Sequence, residues 1–153
     1  MTIRCEIVSQ DRTVFEGDVD MVVIPGMDGE MGILPNHAPL LSTIRLGVIK
    51  VRMAGREENF VITGGLVEVQ PDIVTILADA AENVEEINVS RAEEARQRAQ
   101  ERLEEGPPPG TDVYLAAEAA LRRSNLRLEV ARRLGRTRPR TQFPSGAAEG
   151  ESG

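Results

Sequence analysis

Few residues in this chain of 153 have the types that do chemistry. The single histidine, His37, sits in the proline-flanked loop Pro35-Asn36-His37-Ala38-Pro39. With no second histidine to pair with, it reads as a structural or solvated loop residue and not as a general base. The single cysteine, Cys5, falls on the inward face of an alternating segment, where a buried thiol is inert. One cysteine excludes an intramolecular disulfide, and with one histidine it excludes a Cys/His zinc site. Residues 26–32 are glycine-rich, yet they lack the Lys-Ser/Thr ending of a phosphate-binding loop, and no helix follows. Gly64-Gly65, between two strand patterns, reads as a bend or bulge. The carboxylate pairs Asp18/Asp20 and Glu57/Glu58 lie on strand and turn patterns, where such pairs are solvated faces. No catalytic constellation and no metal-ligand set emerges, so a non-catalytic protein is expected.

The arginines carry more information. Residues 122–140 hold eight of them, Arg122, Arg123, Arg127, Arg132 and Arg133 included, against one acid, Glu129. Such a run either solubilises a helix face or seeks an anion, whether an acidic protein, a phosphate or a nucleic acid. The chain as a whole has a formal net charge of −7, which makes nucleic acid the weakest of these. Aromatic residues make up only 3%, and that counts against base stacking on single strands. No apolar run approaches the roughly 20 residues of a membrane helix. The opening residues read as a charged strand and not as a signal peptide. A soluble, intracellular, acidic protein is the expectation.

The elements that must position these residues divide the chain in two. Residues 1–86 carry 15 acids and 6 bases, whereas residues 87–153 carry 10 acids and 12 bases. Hydrophobic periodicity changes at the same place. In the first half Ile3, Cys5 and Ile7 alternate with Arg4 and Glu6, and Ile49, Val51 and Met53 with Lys50 and Arg52. Residues 19–25, 60–63, 67–69 and 73–78 read as further strands. Turn signals fall at residues 9–12, 25–32, 35–39, 54–58 and 70–72. Short strands at this spacing indicate a β-sandwich or barrel, and a two-sheet β-sandwich over residues 1–86 is the expectation.

The second half is helical. Ser90-Arg91-Ala92-Glu93 fits a capping box, and Ala92, Ala95, Ala99 and Leu103 then recur at helical steps. Gly106-Pro107-Pro108-Pro109-Gly110 ends that helix. Thr111 or Asp112 caps a second one, with a narrow seam of Ala117, Leu121, Ser124, Leu128 and Ala131 and a C-terminal cap at Gly135. Residues 87–135 therefore form an antiparallel helical hairpin whose small seam residues bury little area, so it should be weakly held. Residues 136–153 have few apolar side chains beyond Phe143 and read as a disordered tail.

Two motifs carry a resemblance. Gly29-Glu30-Met31-Gly32-Ile33-Leu34-Pro35-Asn36-His37-Ala38-Pro39-Leu40 resembles the signature loop of the epsilon subunit of F-type ATP synthase. Gly64-Gly65-Leu66-Val67-Glu68-Val69, followed by Val74-Thr75-Ile76-Leu77-Ala78-Asp79, resembles its second signature. The resemblance spans residues 2 to about 134. It departs from the family in the three hairpin prolines and the length of the tail. It implies a non-catalytic rotor subunit of the central stalk, peripheral to the cell membrane on its cytoplasmic side. The implied partners are the gamma subunit, the ring of c subunits and the catalytic alpha and beta subunits, with no nucleic acid. Glu30, Met31 and His37 would meet the c ring or gamma. Arg122, Arg123, Arg127, Arg132 and Arg133 would form an arm that restrains ATP hydrolysis.

Some relatives in that family bind ATP through an Ile/Leu-Asp-x-x-Arg-Ala motif. Here Ile87-Asn88-Val89-Ser90-Arg91-Ala92 matches except at Asn88, which reads alternatively as a helix-capping residue, with Glu82, Arg123 and Arg127 as further contributors. Ala116 stands where ATP-binding relatives carry another arginine. The resemblance thus implies no resident cofactor and weak ATP binding at best. The competing reading is a stand-alone β-sandwich ligand- or carbohydrate-binding module with a basic helical appendage. That reading requires exposed aromatic residues on a sheet, and Phe15 and Phe60 are too few.

Overall fold

The computed structural model describes residues 1–135, and the tail expected at 136–153 lies outside the described residues. Ten strands come first: β1 (Ile3–Val8), β2 (Thr13–Val19), β3 (Met21–Gly26), β4 (Gly29–Ile33), β5 (Leu40–Ile44), β6 (Gly47–Met53), β7 (Arg56–Ile62), β8 (Gly65–Val69), β9 (Ile73–Ala78) and β10 (Ala81–Asn83). A 3₁₀ turn, Val84–Glu86, leads into α1 (Val89–Glu104) and α2 (Asp112–Leu134). The strands hydrogen-bond in the order β10-β7-β6-β3-β5-β8-β9-β1-β2, with β4 paired to β3 off this path. β1 and β9 run parallel, and the remaining pairs are antiparallel.

The sheet folds over because β3 serves two neighbours. Its first residues, Met21 to Val23, pair with β6, while Gly26 pairs with Ile44 of β5. The alternation then puts one face of each strand inside: Ile3, Cys5 and Ile7 from β1, Ile49 and Val51 from β6, Phe60 and Ile62 from β7, Val74 and Ile76 from β9. Phe60 meets Phe15 with ring centroids 5.7 Å apart and planes tilted by 60°, within the spacing that aromatic pairs favour. Gly65 is required where it stands. Its φ is +152°, and a Cβ there would lie 2.1 Å from the Leu77 carbonyl oxygen.

Four strand pairings differ from the sequence reading. Residues 29–33, expected within a turn, form β4 because β3 offers them a full ladder from Val22 to Gly26. β2, β5 and β10 were not anticipated, and each is held by a partner distant in sequence or by a short local ladder. One member of each carboxylate pair does structural work. Asp20 Oδ2 accepts the Ala54 N–H at 3.1 Å, pinning a tight turn in which Ala54 and Gly55 both have positive φ. Glu57 Oε2 accepts from Arg52 Nε at 2.9 Å, directly across the β6–β7 ladder.

In the helical half, Asn88 and not Ser90 caps α1: its side-chain oxygen accepts the Arg91 N–H at 3.1 Å. Both residues are good caps, and the buried Ile87 just before Asn88 sets where the helix starts. Thr111 caps α2 by accepting from Tyr114 N–H. Between the helices, Gly106 (φ +75°) and Gly110 (φ +83°) bracket the three prolines. The helix–helix seam is built from Ala92, Ala99, Ala117 and Ser124, with Leu128 its buried leucine.

Candidate functional site

The hairpin does not reach the sandwich through that seam. A second apolar cluster joins Val61 of β7, Val84 and Ile87 to Val130 of α2, with Val48, Leu126, Ala131 and Leu134 packed around it. Beside this cluster Arg127 of α2 forks onto Glu82 of β10, Nε to Oε2 at 2.9 Å and Nη2 to Oε1 at 3.1 Å. The two side chains are 27% and 30% exposed, so the pair is partly withdrawn from water. A bidentate guanidinium–carboxylate pair fixes direction as well as distance. Helix α2 is therefore held on the sandwich by larger side chains than the seam suggests, and by one directional ion pair.

Next to the fork lies a cavity of about 350 Å³ lined by Thr63, Ala81, Glu82, Ala95, Arg123 and Arg127 among others. It gathers Glu82, Arg123 and Arg127 of the residues that the ATP motif implies. The rest of that set lies elsewhere: Ile87 is inside the second apolar cluster, Ala92 in the helix seam, and Asn88 spends its side-chain oxygen on the cap. Arg91 is exposed on the first turn of α1. Arg127 is already engaged by Glu82, so a phosphate here would have to compete for it. Thr63, Ala95 and Ala120 line the cavity without any local motif to signal them.

The five arginines of α2 separate by partner. Arg122 pairs with Glu118 at 3.1 Å and Arg133 with Glu129 at 3.0 Å, one helical turn away in each case. Arg123 faces the cavity, Arg127 grips Glu82, and Arg132 is exposed.

Glu30 is exposed on β4 opposite Pro25, while Met31, opposite Ile24, packs partly against the core. Glu30 also lines a second cavity, of about 300 Å³, together with Arg45, Lys50, Glu129 and Arg133. The C-terminal turns of α2 thus lie beside the strand that carries Glu30, a proximity no sequence motif announces. His37 is half-buried, and its Nδ1–H donates to its neighbour's carbonyl, Ala38 O, at 2.8 Å. Cys5 is fully buried, and its thiol is pushed up to about 12 by burial and, secondarily, by the Glu6 carboxylate. It is not a nucleophile at neutral pH.

On the opposite sheet, Leu41, Leu66 and Leu77 are exposed. Leu66 faces Leu77 across the β8–β9 ladder, and Leu41 lies one diagonal step from Leu66 through the Leu41–Glu68 pair. Phe60 is buried and Phe15 half-buried against it, so neither supplies the exposed aromatic platform that a carbohydrate-binding sheet needs. Among the described residues no helix is long and apolar enough to cross a membrane.

Comparison with known proteins agrees over residues 2–132. The family ATP synthase, Delta/Epsilon chain, beta-sandwich domain matches residues 2–84. The family ATP synthase, Delta/Epsilon chain, long alpha-helix domain matches residues 85–132. An ATP synthase epsilon chain from Dehalococcoides mccartyi is 45% identical over 129 residues, covering 84% of this chain and 91% of the relative. One from Moorella thermoacetica is 46% identical over 131 residues, covering 85% and 96%. Among solved structures, a chain of the Euglena gracilis mitochondrial ATP synthase OSCP/F1/c-ring assembly superposes with TM-score 0.71 at 26% identity, covering 85% of this chain and 81% of that one. A central stalk/c-ring chain from Tetrahymena thermophila, at 12% identity and TM-score 0.53, shares the fold. With two family domains end to end and close relatives matched over nearly their full length, the chain belongs to the ATP synthase delta/epsilon family, among its epsilon chains.

Proposed function

We propose that this chain is a non-catalytic rotor subunit of the central stalk, coupling proton flow through the c ring to ATP synthesis and restraining ATP hydrolysis through its hairpin. The observation that carries this is how the hairpin is attached. One ion-pair fork and a compact apolar cluster hold α2 on the sandwich, so docked and released states lie within reach of a partner's binding energy. The leucine patch of β5, β8 and β9 is the surface for the gamma subunit, since adjacent exposed leucines mark protein contacts. The exposed Glu30, with Met31 beside it and His37 on the loop after β4, meets the polar loops of the c ring. The chain is then peripheral to the cell membrane, on its cytoplasmic side, through the complex.

In the released state Arg122, Arg123, Arg132 and Arg133 face acidic segments of the catalytic alpha and beta subunits, joined by Arg127 once it leaves Glu82. Replacing the first four by Ala in the assembled synthase should raise basal ATP hydrolysis several-fold with assembly unchanged. Unchanged hydrolysis with binding intact would overturn the restraint. Residues 1–86 are the coupling domain and residues 87–135 the regulatory one. A chain ended after Glu86 should fold and restore proton-driven synthesis to a depleted complex. ATP binds weakly at best, because Asn88 is a cap and Arg127 is engaged. Calorimetric titration should find tighter binding after Asn88→Asp, and tight binding by the unaltered chain would contradict this.

A further inference from the structure

Basic residues are scarce in the sandwich, and two of them stand together without a counter-charge. Of the six in residues 1–86, Arg4, Arg12 and Arg52 pair with carboxylates. Arg45, Lys50 and Arg56 have no ion-pair partner among the described residues. Arg45 and Lys50 line one cavity, of about 300 Å³, between the sandwich and the last turns of α2. Lys50 is half-buried, and it is the only lysine among the 18 basic residues of the chain. The cavity also has an apolar side, with Leu46 and Val48 from the sandwich and Leu126 and Val130 from α2. Val48, Leu126 and Val130 belong to the cluster that seats the helix, so the cavity is the open flank of that seat. Arg133 and Glu129 reach it too, but they hold each other at 3.0 Å. Arg45 and Lys50 are left against Glu30, a surplus of one positive charge. The cavity beside the Glu82–Arg127 fork shares no lining residue with this one.

We propose that this second cavity binds a small amphiphilic monocarboxylate. Its carboxylate sits between Arg45 and Lys50, where the planar guanidinium takes both oxygens and the ammonium adds a point charge. Its hydrocarbon body lies against Leu46, Val48 and Leu126. The volume of about 300 Å³ is at the small end of the range for small-molecule sites, which limits that body to a short chain or a single ring. One surplus charge matches a monoanion, whereas a dianion would leave negative charge uncompensated over an apolar floor. Because the walls come from both the sandwich and α2, an occupied cavity bridges them and favours the docked hairpin by mass action. That bearing on regulation rests on the proposed function above, but the binding does not.

The test uses the isolated full chain with octanoate as the probe. Reductive methylation with isotope-labelled formaldehyde marks Lys50 and the α-amine alone, so a single lysine signal reads the cavity. Octanoate should move that signal saturably with a Kd of about 1 mM, as suits a ligand of its size. Octanol, which lacks the anion, and inorganic phosphate, which lacks the body, should each bind at least about tenfold more weakly. Arg45 is exposed, so Arg45→Gln keeps the fold; it should weaken octanoate about three- to tenfold, and Arg45→Lys should recover part of the loss. At about ten times the Kd, amide exchange in residues 125–134 should slow about tenfold. No saturable shift up to about 10 mM octanoate, or no loss in Arg45→Gln, overturns the site. Equal binding of octanol or phosphate overturns the ligand class, and unchanged exchange at saturation overturns the bridge. None of these readings involves ATP hydrolysis, so a failed site and a failed hydrolytic restraint are told apart.

Discussion

The sandwich and the hairpin are stabilised on different scales. Inside the sandwich, Ile3, Ile7, Ile24, Ile49, Phe60 and Ile76 are at most 1% exposed and draw on both layers. Each is worth roughly 1.5–3 kcal/mol on burial. In the hairpin seam, Ala92, Ala99, Ala117 and Ser124 do the corresponding work, and Ser124 spends its hydroxyl on Ala120 O at 2.8 Å. The difference is one of buried apolar bulk: the sandwich is closed by large side chains, the hairpin seam by small ones. The docking of α2, through Val61, Val84, Ile87 and Val130 plus one fork, is intermediate.

The largest expected effect lies where the core is densest. Phe60→Ala should destabilise the sandwich by about 3–5 kcal/mol in denaturant titration, and a loss under 1 kcal/mol would break the contrast. Glu82→Gln should cost about 1–2 kcal/mol, discounted for partial exposure. That loss should appear as faster hydrogen exchange in α2 with β-strand protection unchanged. A double-mutant cycle with Arg127→Gln isolates the fork, and a coupling of zero would mean that the apolar cluster alone holds α2.

Alkaline pH sharpens the comparison from inside the core. The Cys5 thiol, near 9.0 when unfolded and about 12 when folded, keeps its proton in the native state longer than in the unfolded state. The unfolded state therefore binds fewer protons, and stability falls as pH rises from 9 towards 12, at up to about 1.4 kcal/mol per unit. The fall should be shallower in Cys5→Ala, and equal slopes would exclude the thiol as its cause. The smallest change concerns the start of α1. Asn88→Ala should cost about 1 kcal/mol of local stability, read as faster exchange at Ser90 and Arg91, with the sandwich unaffected.

Local signals account for what was legible beforehand. The strand at β1, the helix stop at Gly106 and the alanine seam each follow from a period or a residue type within one short window. β4 was hidden because Gly29 and Gly32 read as turn residues, while the pairing that makes them a strand comes from β3. The cap stayed open between Asn88 and Ser90 because both satisfy the same local rule, and the burial of Ile87 decides for Asn88. Of the site, Glu82, Arg123 and Arg127 were named in advance through the family motif, and the cavity gathers them. The α2 docking surface was illegible, since Val48, Val61, Val84 and Val130 are far apart in the chain.

The joint between the helices limits what the hairpin can do mechanically. A 16-residue and a 23-residue helix are rods of about 24 and 35 Å. Three prolines in a row, Pro107, Pro108 and Pro109, break an α-helix interior, since each lacks an N–H and its ring strikes the preceding turn. The two rods therefore cannot join into one continuous helical shaft. Force passing along the hairpin must cross a stiff, non-helical elbow, which transmits a push along its length but leaks torsion at the glycines on either side.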